Sequence, residues 1–182
     1  IVIFGLGGAA IGLTVSLTSK PKYTAHLSFA LMEKGTGSSG LASLASSFGY
    51  NIGGGSANAF SGDNLLEIIK SQRAVQQALL TPIDYKGKHE NLIEAYITIS
   101  KMRKGWERSK KKELRELSYP IGQQARSLSR VQDSVMNVIY STMSKSGSLS
   151  VAKINKTSGI VNVDFTSGDE LFAKLFVENL MD

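Results

Sequence analysis

The chain has 182 residues, enough for one domain with a core of its own plus an extra element. It contains no cysteine, which excludes a disulfide framework, a thiol nucleophile and a thiolate metal site. The formal net charge is +6, concentrated between Lys101 and Lys112, and the two histidines, His26 and His89, lie far apart and outside any HxxxH or HExxH spacing, which speaks against zinc.

The sequence opens at Ile1, without Met and inside an apolar run, so it reads as a fragment with sequence missing at both ends. No charge occurs from Ile1 to Leu17, and the run stops at Lys20-Pro21-Lys22. A bilayer core takes about 20 apolar residues, so residues 1–19 are expected to form one transmembrane helix. Gly8, Gly12 and Ser16 make a small-xxx-small row for membrane-helix packing. A rival reading uses the same residues: Ile1 to Phe4 as a strand and Gly5-Leu6-Gly7-Gly8-Ala9-Ala10 as a dinucleotide (FAD or NAD) fingerprint, with Glu33 as the ribose ligand. Against it, the next segment alternates, unlike a buried parallel strand, and no βαβ repetition follows.

From Tyr23, apolar residues alternate with Thr24, His26 and Ser28, which predicts a half-buried strand over about 23–32 with His26 outward. Lys34 to Gly62 is rich in Gly, Ser and Ala, with a short helix possible around Leu41 to Phe48; Gly53-Gly54-Gly55 reads as a hinge, since no GK[ST] follows it. A helix over Asn64 to Leu80 is expected, capped by Asp63 or Asn64 with Glu67 and ended at Thr81-Pro82. A second helix is expected to start near His89 and to carry Leu92, Ile93, Tyr96, Ile97 and Ile99. The basic stretch Lys101, Arg103, Lys104, Arg108, Lys110, Lys111 and Lys112 follows. A cluster of this kind attracts nucleic acid, anionic lipid or acidic glycan, or is a solvated helix face. It is too dense to be buried without matching acids and is the candidate interaction surface.

Val131, Val135, Met136, Ile139 and Met143 share one helix face. Leu149 to Ile154 and Ile160 to Phe165 predict a hairpin over about 149–165, pairing with the Tyr23 strand. A capping box from Ser167 to Glu170 opens a last helix with Leu171, Phe172, Leu175, Phe176 and Leu180 on one side. The fold class is therefore α+β, a small sheet packed against helices, with residues 20–182 as the domain after the membrane helix.

The order of these elements resembles the Wzz-type polysaccharide co-polymerases, the chain-length determinants. The resemblance is carried by the strand at Tyr23-Thr24-Ala25, the loop Leu41-Ala42-Ser43-Leu44-Ala45 and the segment Asn64-Leu65-Leu66-Glu67-Ile68-Ile69-Lys70-Ser71. Ser158-Gly159-Ile160-Val161-Asn162-Val163 and the helix from Asp169-Glu170 with Ala173-Lys174 complete it. The glycine-rich loop looks most like Bacteroidetes versions. The family's long helix and its second, proline-rich membrane helix are not in this sequence. The resemblance implies a bacterial inner-membrane protein whose soluble domain lies in the periplasm. It implies a homo-oligomer beside a glycan polymerase, acting without catalysis; a periplasmic adaptor of an export system would share the topology, and the residues themselves lead to no expected cofactor, metal or nucleic acid. In agreement, no Ser/His/Asp set is apparent, and Asp63, Glu67, Asp164, Asp169 and Glu170 read as helix-start residues.

Overall fold

The computed structural model describes residues 13–14, 21–30, 62–155 and 159–182, with the backbone alone at 62–64. The expected membrane helix is not supported: among the described residues no helix is long and apolar enough to cross a membrane. The inner-membrane placement built on that helix is corrected with it. Of residues 1–19 only Leu13 and Thr14 are described, helical and exposed. Gly8, Gly12 and Ser16, the fingerprint from Gly5 to Ala10, and Glu33 lie outside the described residues.

The remainder is α+β. The strands are β1 (Tyr23–Ala30), β2 (Pro82–Tyr85), β3 (Lys88–Asn91), β4 (Leu149–Lys153) and β5 (Ile160–Ser167); β1, β5 and β4 form a three-stranded antiparallel sheet in that spatial order. Alternation decides which face is buried. Ala25, Leu27 and Phe29 lie over Phe165, Val163 and Val161, and Leu149 and Val151 continue the face on β4. The other face is a polar ladder: the Thr24 and Thr166 hydroxyls are 2.9 Å apart, His26 Nδ1 is 2.8 Å from Asp164 Oδ1, and Ser28 Oγ donates to Asn162 Oδ1 at 2.7 Å. His26 is exposed, as its place in the alternation requires.

Where one helix is expected over Asn64 to Leu80, two form: α1 (Gly62–Lys70) and α2 (Gln72–Leu80). Ser71 separates them. Its backbone is extended (φ −61°, ψ 149°) and its Oγ accepts the Ala74 N–H, so it ends one helix and caps the next. Helix α1 already includes Asp63 and Asn64, which are therefore not its N-cap. Helix α1 packs on β4, and α2 lies behind α7 (Glu170–Met181) rather than on the sheet.

After α2 comes a hairpin that the sequence reading missed, β2 (Pro82–Tyr85) and β3 (Lys88–Asn91). The turn is Lys86-Gly87, both at positive φ (49° and 80°), as a two-residue hairpin loop of the primed type requires. His89 is thus in a strand, 2.8 Å from Asp84, and the next helix, α3 (Leu92–Ile99), starts three residues later than expected. Helices α4 (Met102–Glu107), α5 (Lys112–Arg115) and α6 (Arg130–Lys145) follow. Ser129 and Gln132 form a reciprocal capping box at the start of α6.

Helix α7 is the centre of the core, between β1 and β5 on one side and α2 and α3 on the other. Its buried residues are Phe172, Ala173, Phe176, Val177 and Leu180; Leu171, expected inside, is turned outward. Phe165, Phe172 and Phe176 form one aromatic cluster, with Phe165 and Phe176 centroids 4.3 Å apart. Each fully buried side chain of this size contributes about 1.5–3 kcal/mol. The N-cap of α7 is Asp169, whose Oδ1 accepts the Phe172 N–H at 3.0 Å; the expected Ser167–Glu170 box is not used, and Ser167 Oγ instead accepts the Asp169 N–H.

Candidate functional site

The basic stretch forms a lobe of two short helices, α4 and α5, on the flank of α3. Its geometry begins at Asn91. This residue is fully buried, and its Nδ2 donates to the carbonyls of Tyr119 (3.2 Å) and Pro120 (2.8 Å), closing the segment that carries the lobe. Helix α3 then buries Leu92, Ile93, Ala95 and Ile97 and presents Glu94 on its other side. At the end of α3 the chain reverses through Lys101, held at φ 59°. A left-handed lysine costs roughly 1–2 kcal/mol, so packing on both sides of the bend must hold it.

Helix α4 divides the cations by position. Met102, Arg103 and Trp106 are half-buried, Met102 and Trp106 against the core, while Lys101 just before the helix, Lys104 within it and Arg108 just after it are exposed. Arg103 is therefore a tie. It is ion-paired with the Glu94 carboxylate, and its Nη1 donates to the Leu117 carbonyl at 3.1 Å. The second Glu94 oxygen accepts the Tyr119 N–H at 2.8 Å. Tyr119 in turn donates its hydroxyl to the Gln132 carbonyl at 2.7 Å. Burial, helped by the Glu94 and Asp133 charges, pushes the Tyr119 phenol far above its ordinary range, so it acts only as a neutral donor. The chain Arg103–Glu94–Tyr119–Gln132 thus ties the lobe to α6.

The other cations differ in their surroundings. Lys112 is 3.6 Å from Glu116, one helical turn on. Lys101, Lys104, Arg108, Lys110 and Lys111 have no carboxylate partner among the described residues. Arg103 differs from its neighbours in having a paired acid, Glu94, which sequence spacing could not show because that acid sits on another helix.

A second charged group lies at the tip of the early hairpin. Lys86 Nζ is 2.5 Å from Asp169 Oδ2 and 5.1 Å from the Tyr85 ring centre. Burial would raise the Asp169 carboxyl, but the bond from Lys86, the Phe172 amide and nearby Tyr85 together hold it below the usual range. Burial, more than any neighbour, pushes the Tyr85 phenol up, and its hydroxyl is buried without a hydrogen bond among the described residues. Both ions have structural work here, pinning the hairpin to the start of α7. Among the described residues no group of three or more His, Asp or Glu is placed to hold a metal.

The dinucleotide alternative finds no support from the described strands, which pair only antiparallel, whereas that motif needs a parallel β-α-β unit around it. No family model, curated protein or solved structure matches this chain.

Proposed function

We propose that this chain is a non-catalytic assembly domain that works as a homo-oligomer, beside a glycan polymerase, in setting the length of an exported polysaccharide such as an O-antigen, capsule or exopolysaccharide. The observation that carries the reading is the exposed cation row Lys101, Lys104 and Arg108, continued by Lys110 and Lys111. A row that makes no ion pair among the described residues, although Glu107 stands beside Arg108 in the chain, is a surface suited to neutralisation from outside the monomer, here by the acidic residues of a neighbouring subunit. The order of strand, helices, hairpin and closing helix, from which the resemblance to chain-length determinants was drawn, supports the same reading.

The test is the replacement of Lys104, Arg108, Lys110 and Lys111 by Ser, leaving Arg103 intact so that the lobe keeps its tie. Oligomer mass is measured by sedimentation and the length distribution of the glycan by gel. Loss of assembly supports the subunit contact. Intact assembly with altered glycan length transfers the row to the glycan. No change in either reduces it to a solvated face and removes the main support for the proposal.

A further inference from the structure

A groove of about 1120 Å³ runs between α2 and the turn segment before α6, and none of the basic lobe's cations lines it. Its lining contains five glutamines, Gln72, Gln76, Gln77, Gln123 and Gln124, with Arg126 and Arg73, and contains neither a carboxylate nor an aromatic ring. Leu80, Pro82 and Ala125 supply an apolar part. Glutamines on α2 come together because 72 and 76 are one turn apart on one face. Gln123 and Gln124 arrive from the other side through the turn at Pro120 to Gln123, which needs the positive φ of Gly122 (78°).

The amides are oriented. Gln72 and Gln76 both donate Nε2 to Asn137 Oδ1 (2.5 and 3.5 Å), and their own carbonyl oxygens accept no bond among the described residues. Gln123 is locked amide to amide with Gln132 at 3.0 Å in both directions. The side chains of Gln124 and Arg126 are exposed and make no bond among the described residues. The positive end of α2, at Ser71 and Gln72, opens on the same groove.

We infer that this groove binds an acidic oligosaccharide. An amide offers both donors and an acceptor, as a sugar hydroxyl requires, and apolar side chains suit the C–H faces of a pyranose ring. The Arg126 guanidinium presents a planar fork that fits an acidic substituent, and no lining acid repels it. The lack of an aromatic ring argues against single-stranded nucleic acid, which is held by stacking. The inference rests on the lining alone and goes beyond the assembly reading, which survives its failure.

Calorimetry with tetragalacturonate as the probe tests it, using the full chain, the double variant R126A/Q124A, and the four-serine lobe variant, with maltotetraose as the neutral control. Both groove residues are exposed, so the fold should tolerate the change. The expected result is binding that weakens by about tenfold or more in the groove variant, as for loss of a charge-assisted hydrogen bond. The lobe variant should bind as the parent does. NMR signals of the Gln72, Gln76 and Gln124 side-chain amides should shift on titration. Absence of binding, loss only in the lobe variant, equal binding of maltotetraose, or unmoved glutamine amides would each overturn the inference.

Discussion

The aromatic centre at α7 and the basic lobe at α4 and α5 are attached to the same body by opposite means. At α7, Phe172, Phe176 and Leu180 are fully buried against β1 and β5 and against α2 and α3. The lobe has no fully buried residue in either of its helices. Half-buried Met102, Trp106 and Leu114 cover it on one side, and a polar chain through Arg103, Glu94 and Tyr119 sets its position. Apolar burial is non-directional and scales with area, so it supplies stability at α7. Hydrogen-bonded charges are directional and contribute less, but they fix geometry, which a surface that must meet a partner needs.

The contrast is open to direct attack. The largest effect is expected from Phe176→Ala. Truncating a fully buried phenylalanine costs about 3–5 kcal/mol, and urea unfolding should show it as a lower midpoint for the whole domain. A loss below about 1 kcal/mol would mean that α7 is not the centre of the core.

A smaller, local effect is expected from Arg103→Ala. It leaves Glu94 half-satisfied, and charged hydrogen bonds of this kind are worth about 1.5–3 kcal/mol. Arg103 is partly exposed, so the lower end of that range applies. Hydrogen exchange should quicken over residues 101–119 while α7 stays protected. Uniform quickening through α7 would show that lobe and core are one cooperative unit. The neighbouring exposed cations have no such ties, and replacing them should move stability by less than about 0.5 kcal/mol.

A modest, pH-dependent effect concerns Asp169. Its carboxyl is held low in the folded state, so its contribution is present above the ordinary carboxylate range, near pH 4, and fades as pH falls through the folded value. Asn at this position still caps the helix but cannot pair with Lys86. Asp169→Asn should therefore cost about 1 kcal/mol or less at neutral pH and flatten the acid side of the stability profile. An unchanged acid limb would show that the Lys86 contact contributes nothing in solution.

Period-two patterning was legible in the strands of the three-stranded sheet: Tyr23 to Phe29 and Val161 to Phe165 alternate, and they pair in the structure. The hairpin from Pro82 to Asn91 was not legible. Its strands are four residues each, β3 carries Lys88, His89 and Glu90, and its turn begins with Lys rather than Asn or Asp before Gly. Ser71 was missed as a boundary because the apolar residues on both sides keep helical spacing; only the extended backbone at that one residue separates α1 from α2. The charge-free run at residues 1–19 gave a membrane helix on hydropathy alone, and no membrane-crossing helix is found among the described residues.

Of the candidate surface, the basic residues could be named from sequence, but their division into a tie and an exposed row could not. The glutamine groove left a weaker trace, since Gln72, Gln76 and Gln77 are close in the chain whereas Gln123 and Gln124 are not. Sequence by itself determined the α+β class, the strands whose side chains alternate, and the absence of any cysteine chemistry, because these follow from local periodicity and composition. Tertiary structure decided that Arg103 faces Glu94, that Lys86 reaches Asp169, and that two glutamine clusters share one groove. Each of these joins residues on different elements, and the spacing along one chain says nothing about which elements packing will bring together.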